Sequence, residues 1–436
     1  MRIVIVGGGA GGLGLATQLG RKLGRRGKAE VLLLDRNHTH IWKPLLHEVA
    51  SGSLDAEVDS VSYRAHGHRN GFQFQVADVT GIDRQRQTVQ IAPYCDEQGQ
   101  ELLPAREEAY DYLVMAIGGQ TNDFGVAGVA EHCILLDCPQ QAQRFHRNLV
   151  DQFLRVNRAV AQGDNEQRLH VAIVGGGATG VELSAELIKA RQWFATYGLT
   201  HLTPDHLKVS LIEAGPRLLP ALSERISVAA KAELEKLGIA VHTDTQVGQA
   251  TAAGLETPQG QQFDCDMMVW AAGVKAPDFL TGLTGLETNR ANQLLVEPTL
   301  QVQGDERIFA LGDCAGLVLG EQDGRPMWVP PRAQSAHQMA QTVAQNLIRK
   351  VEQKPLKPFV YKDYGSLVSL SNYTAFGKLM GGIGSGSLSV EGRIARMAYI
   401  SLYRKHQIAI HGIWRTGLLA LSDGLNQWLR PRMKLH

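Results

Sequence analysis

The chain carries one short plan twice. Residues Ile3 to Gly14 read IVIVGGGAGGLG, and residues Val171 to Leu183 read VAIVGGGATGVEL. Each is an apolar strand, a glycine turn and the start of a helix, so one supersecondary unit occurs in two copies. A second apolar run follows each copy and stops at an acid, Val31 to Leu34 at Asp35 and Val209 to Ile212 at Glu213. Continuous apolar strands belong in a parallel sheet covered on both faces. The expected class is therefore α/β, with two Rossmann-like dinucleotide-binding domains.

The glycine spacing gives these turns a chemical meaning. In Gly7-x-Gly9-x-x-Gly12 the first glycine makes the tight turn, the second lets the backbone approach a pyrophosphate, and the third lets helix pack on strand. Gly11 is grouped with them. The helix N-terminus then offers unpaired N–H groups and partial positive charge to the phosphates, and Asp35 would accept hydrogen bonds from a ribose diol. Gly175, Gly177 and Gly180 repeat the pattern, with Glu213 roughly thirty residues on instead of about 20. A longer connection around Trp193 to Asp205 accounts for the surplus. A carboxylate at Glu213 bonds the free 2′-hydroxyl of NADH and repels the 2′-phosphate of NADPH, although Arg217 stands close by in sequence.

Three further strands close on small residues: Asp111 to Gly119, Asp266 to Gly273 and Ile308 to Asp313. They fit strands returning beneath a bound dinucleotide, where Gly118, Gly273 and Gly312 leave room for it. An N-terminal unit completed by a late Gly-Asp strand is the pattern of FAD, held non-covalently, with Asp313 reaching its ribityl or pyrophosphate region. The other unit is left for NADH. The expected division is 1–164 and 285–385 for FAD, 165–284 for NADH as an insertion, and 386–436 as a membrane-associating end.

Bulk properties agree. At 436 residues the chain is too long for one core, and 44% apolar with 20% charged residues describes a globular enzyme. A net charge of +1 gives no general attraction to nucleic acid. Five cysteines, an odd and scattered set, argue against a disulfide scaffold. No clustered His/Cys spacing suggests a metal site. No secretory signal and no spanning segment of about 18 apolar residues is expected.

The chain resembles the type II NADH:quinone oxidoreductases, the single-subunit respiratory NADH dehydrogenases, in their bacterial form. The resemblance runs from the first fingerprint through Trp42 to Glu48 (WKPLLHE), Gly177 to Leu183 (GATGVEL) and Ala333 to Gln338 (AQSAHQ) to the basic C-terminus. It implies that Gln334 and Gln338 belong to a quinone site; their spacing of four puts them on one helical face. It also implies that Glu182 lies near the nicotinamide and flavin, that Lys362 lies near the quinone pocket, and that Lys43 and Pro44 pass over the isoalloxazine. Plainer readings stand beside these: a surface helix with two exposed amides for Gln334 and Gln338, a first-turn helix acid for Glu182, a solvated lysine for Lys362 and a structural turn at Lys43 and Pro44. Cys133 and Cys138 have the spacing of a flavin disulfide pair but not its place in the chain, and read as ordinary thiols.

Beyond about residue 390 the composition changes. Between Arg393 and Lys434, Arg396, Arg404, Lys405, Arg415, Arg430 and Arg432 stand against the single acid Asp423. Trp414, Leu418, Leu421, Leu425, Trp428 and Leu429 fall within roughly a 100° helical arc. Such a helix suits the headgroup plane of an anionic bilayer, and a helix packed on the protein body or on a homodimer partner is the alternative. Gly381, Gly382, Gly384 and Gly386 offer tight turns before it.

The expected activity is hydride transfer from NADH to FAD and then two electrons to a membrane quinone, ubiquinone or menaquinone, without proton pumping, at the cytoplasmic face of the bacterial inner membrane. The rivals are a sulfide:quinone oxidoreductase-like flavoenzyme and a flavin-bound NADH sensor or scaffold.

Overall fold

The computed structural model describes residues 1–96, 98–283, 285–370, 374–380, 387–391, 401, 403–404 and 406–429. They divide into two compact units. One comprises Met1–Trp42, Ser60–Gln120 and Val274–Lys362; the other comprises Lys43–Asp59, Thr121–Gly273 and the described part of Asp363–His436.

The first unit is built on six strands in the spatial order Gln301–Val302, Asp305–Ala310, Tyr112–Met115, Arg2–Val6, Glu30–Asp35 and Gln73–Val76. All neighbours are parallel except the outermost 301–302 and 305–310 pair. Arg2–Val6 lies inside because both its faces are apolar: Ile3, Val4 and Ile5 are fully buried. From this strand the chain winds outward through Glu30–Asp35, and later elements fill the other side. The strand order therefore reverses at the end of Arg2–Val6, the place where open α/β sheets bind ligands.

The second unit repeats this plan. Its parallel sheet runs Ile134–Leu135, Met267–Trp270, Leu169–Val174, Leu207–Ile212 and Ala240–His242. The reversal falls at the end of Leu169–Val174. Residues 43–59 and 121–164 belong to this unit, whereas the sequence grouped them with the FAD half. The reason is packing: helix Leu46–Ser51 lies against helices Pro139–Ala161 and Ala178–Ala190. Strand Gly365–Leu370 also lies on Ala178–Ala190, so every residue from Gly180 to Ala190 is buried.

Strands Gly365–Leu370, Thr374–Met380 and Ser387–Glu391 form an antiparallel sheet, and Ile413–Leu429 is a helix. Among the described residues no helix is long and apolar enough to cross a membrane. Ile413, Trp414, Leu418 and Leu421 are exposed, while Thr416 is buried with its hydroxyl donating to the Gly412 carbonyl at 2.9 Å. The side chains of Leu425, Trp428 and Leu429 lie outside the described residues. So do Gly381, Gly382, Gly384 and Gly386, and the basic residues Arg393, Arg396, Lys405, Arg430, Arg432 and Lys434.

Candidate functional site

The turn that follows Arg2–Val6 can be made only by glycine. Gly7 has φ +100°, and a Cβ there would lie 2.4 Å from the Ala116 carbonyl oxygen. At Gly12 a Cβ would lie 1.8 Å from the Gly7 oxygen, so the helix Ala10–Lys22 rests directly on the turn. Gly9 differs, since a Cβ on it would meet nothing within 4 Å. A Cβ on Gly11 would lie 2.5 Å from the Leu311 side chain and 3.1 Å from the Ala336 carbonyl oxygen. Its small size serves the approach of helix Ala10–Lys22 to helix Ala333–Val351.

Asp35 ends its strand beside this turn. Its Oδ2 accepts the Gly8 N–H at 2.6 Å and its Oδ1 accepts the Asn37 N–H at 2.8 Å. Burial raises the carboxyl group above its ordinary range, against the main-chain bonds that favour the anion. The Tyr63 hydroxyl donates to the Gly8 carbonyl at 2.9 Å. Both polar groups of Gly8 are thus held by side chains.

On the far side of the turn, Gly118 has φ +71° and stands open, with nothing within 4 Å of a Cβ. Strand Asp305–Ala310 runs beside Tyr112–Met115 and delivers Gly312 and Asp313; the Asp313 Cβ lies 3.2 Å from a Cβ built on Gly119. The Gln293 amide donates to the Asp313 carbonyl at 3.0 Å.

The second turn matches the first. Gly175 has φ +114° with the Ala271 carbonyl 2.8 Å from its Cβ position, a Cβ on Gly180 would lie 2.0 Å from the Gly175 oxygen, and a Cβ on Gly177 would meet nothing within 4 Å. Glu213 Oε2 accepts the Gly176 N–H at 2.6 Å and Oε1 accepts the Gly215 N–H at 2.6 Å. The Gly176 carbonyl accepts from the Leu219 main-chain N–H at 2.8 Å. The Arg217 guanidinium is turned to the Pro220 carbonyl at 3.1 Å. The space a Cβ on Gly273 would need is taken by the Phe124 ring, whereas its counterpart Gly118 is open.

Helix Ala178–Ala190 begins at this second turn and carries Glu182, Glu186 and Lys189 into the interior, each under one-tenth exposed. Glu182 Oε1 accepts the Ser369 N–H at 3.1 Å, and its Oε2 lies 3.6 Å from His47 Nδ1. Glu186 Oε2 accepts from the Ser53 hydroxyl at 2.7 Å and the Lys189 ammonium at 3.3 Å. Burial lowers His47 to a pKa of about 4, with Glu186 opposing, so the ring is neutral at pH 7. Buried charges cost several kcal/mol per ion unless well partnered, so a cluster of this kind points to function more readily than to stability.

A family model described as pyridine nucleotide-disulphide oxidoreductase matches residues 1–340. The type II NADH:quinone oxidoreductase of Haemophilus influenzae is 48% identical over 445 residues, covering 100% of this chain and 99% of that protein. The chain belongs to the pyridine nucleotide-disulphide oxidoreductases and, within them, to the type II NADH:quinone oxidoreductases. The enzyme NdhA of Mycobacterium tuberculosis, of the same type, is 27% identical over 415 residues, or 92% of this chain and 82% of that one. The solved structure of NDH2 from Plasmodium falciparum in complex with NADH has the same fold, with a TM-score of 0.80 at 20% identity and 99% of each chain covered.

The first cradle fits the FAD of this family. Its open Gly9 and Gly118 leave room for a diphosphate that any side chain would occupy, and Asp35 keeps acceptor capacity beyond the bonds it takes from the Gly8 N–H, the Asn37 N–H and the Asn37 side-chain amide. Among the described residues no group of three or more His, Cys, Asp or Glu could hold a metal ion.

The remaining candidates fall into place unevenly. Gln334 and Gln338 lie one turn apart near the start of helix Ala333–Val351, which begins at Ala333, after the two prolines. The Gln338 carboxamide pairs at both ends with the main chain of Lys362, donating to its carbonyl at 2.9 Å and accepting its N–H at 2.9 Å. Asn346, two turns on, does the same for Lys357, at 2.9 and 2.8 Å. Two amides thus hold the extended segment 357–362 along the helix. The Lys362 side chain is exposed. In the second unit Lys43 is ion-paired with Asp137 at 3.0 Å, and Lys43 and Pro44 form the short turn Lys43–Leu45 that leads into helix Leu46–Ser51.

Cys133 and Cys265 are buried free thiols, both pushed up to about 12 by burial. Cys138 starts helix Pro139–Ala161. The residues that sequence reasoning passed over are Tyr63, His47, Glu186 and Lys189. The charges on Ala178–Ala190 had a signal, because they interrupt a helix otherwise apolar on every side. Tyr63 had none.

Proposed function

We propose that this chain binds FAD on its first unit and NADH on its second, and reduces a membrane quinone by two electrons. FAD, when bound, supplies the carrier that takes a hydride and passes on the electron pair. The observation that carries the reading is the twin cradle: two sheet switch points, each with an open glycine and a carboxylate fixed beside it. Asp35 accepts the ribose hydroxyls of FAD with the lone pairs it has left. Glu213 does so for NADH, and its charge disfavours the additional phosphate of NADPH.

On helix Ala333–Val351, Gln334 and Gln338 present amide donors to a quinone carbonyl. Gln338 spends one N–H on Lys362 and keeps the second. Lys362, whose main chain that pairing holds beside the helix, carries an exposed side chain. Glu182, buried against His47, is the acid of the NADH side. Lys43 holds its own turn through Asp137 and is assigned no chemistry.

The test is anaerobic mixing of the yellow holoprotein with NADH and then with a quinone. Loss of the flavin absorbance on the first addition and its return on the second are expected. Absorbance unchanged by NADH, or bleached by sulfide instead, would sink the reading. Bleaching without steady turnover would favour the sensor.

The enzyme meets the bilayer through helix Ile413–Leu429. Trp414 is 89% exposed, and Leu418 and Leu421 follow it at the spacing of one helical face, beside exposed Arg415. The occupant proposed for this face is an anionic lipid surface at the cytoplasmic side of the bacterial membrane. Flotation with vesicles containing anionic lipid should carry the wild type and leave the double variant Trp414→Ser, Leu418→Ser behind. Equal flotation of both overturns the assignment.

A further inference from the structure

In a trans peptide the carbonyl of one residue and the N–H of the next point in opposite directions, so holding one aims the other. The Gly8 carbonyl is held by the Tyr63 hydroxyl at 2.9 Å, and the Gly8 N–H by Asp35. The Gly9 N–H must then point away from Tyr63. A Cβ on Gly8 would lie 2.5 Å from the Tyr63 ring, which explains why the residue between Gly7 and Gly9 is itself a glycine.

Tyr63 is well placed to hold this line. It is 2% exposed and opens the helix Tyr63–Asn70, which is joined to helix Ala10–Lys22 by the His66–Thr17 bond at 2.9 Å and the Arg21–Asn70 bond at 2.8 Å. Its ring stacks on Phe74 with centroids 5.0 Å apart. Burial and the charge of Asp35 keep its phenol protonated well above the ordinary range, so the hydroxyl remains a donor.

We infer that Tyr63 is a positioning residue of the FAD cradle: by fixing the Gly8 carbonyl, it aims the Gly9 N–H at the diphosphate. The inference rests on the assignment of FAD to the first unit. It predicts a role for the hydroxyl separate from that of the ring.

The test is release of FAD from diluted holoprotein, followed by the rise in flavin fluorescence. Tyr63→Phe keeps the ring and should speed release by about tenfold, as expected for a buried carbonyl left without its donor. The KM for NADH should stay within about twofold, because the second cradle is untouched. Phe74→Leu removes the stacking partner and keeps the hydroxyl, so it should lower the melting temperature without speeding release. Release from Tyr63→Phe at the wild-type rate overturns the inference while leaving the FAD assignment intact. Equal acceleration by Phe74→Leu also overturns it, because packing would then be the cause. Wild-type protein purified without FAD overturns both.

Discussion

The two cradles solve one problem with different parts. In the first, the carbonyl of the middle glycine is held by a phenol 55 residues away; in the second, the matching carbonyl of Gly176 is held by the main-chain N–H of Leu219. The acids act alike, each giving one oxygen to the turn and the other to a main-chain N–H two residues on, at Asn37 and at Gly215. The difference is instructive. Where a side chain completes the turn, one substitution can loosen it; where the backbone does so, no side chain controls that bond.

The severest way to probe the comparison is to fill the close contacts. Gly12→Ala and Gly180→Ala each drive a methyl group into a carbonyl oxygen that cannot yield, at a cost of about 3 kcal/mol or more in local distortion. Gly12→Ala should be purified without FAD. Gly180→Ala should retain FAD and lose its bleaching by NADH. If both variants lose the same ligand, the division of labour between the units is wrong.

Acid should separate the units next. His47, facing Glu182, Glu186, Glu48 and Lys189, is depressed to about 4 from an ordinary 6.5. Its stabilising contribution is present above 6.5 and is lost as pH falls toward 4, to a limit of about 3 kcal/mol. Asp35, raised by burial, acts in the opposite sense: its contribution is present below the ordinary carboxyl value and is lost as pH rises through its folded value. Denaturant unfolding at pH 7 and pH 5 should show a loss in the wild type that His47→Gln reduces. An equal loss in both would remove His47 from the account.

A smaller effect is expected at the acid of the second cradle. Glu213→Gln replaces one of two accepting oxygens by a donor facing an N–H. The ratio kcat/KM for NADH should fall by about 10- to 100-fold, with narrowed preference over NADPH and unchanged FAD content. An unchanged preference would mean that Glu213 does not meet the 2′-hydroxyl. The smallest effect sharpens the contrast directly: Leu219→Ala keeps its main-chain N–H, so the KM for NADH should move by no more than about twofold, against about tenfold in FAD release for Tyr63→Phe.

Much of the fold could be read because its signals are local. The strand, turn and helix of Ile3 to Gly14 lie within a dozen residues, and apolar runs such as Val31 to Leu34 declare a doubly covered sheet by themselves. The placement of 43–59 and 121–164 was not legible, because helix Leu46–Ser51 is assigned by what it packs on and its own pattern fits many partners. Gln338 shows a similar limit. Its spacing from Gln334 marked a shared helical face, but only the folded chain pairs its amide with Lys362.

By itself the sequence determined that there are two cradles, where each begins, and which acid closes each, since those choices are written in neighbouring glycines and strand ends. Tertiary structure decided what completes them: Tyr63 above Gly8, Leu219 N–H on Gly176, and His47 beside Glu182. The physical reason is range. Glycine conformation and strand burial follow from adjacent residues, whereas a hydrogen bond between distant residues exists only after the sheet and its helices have brought them together.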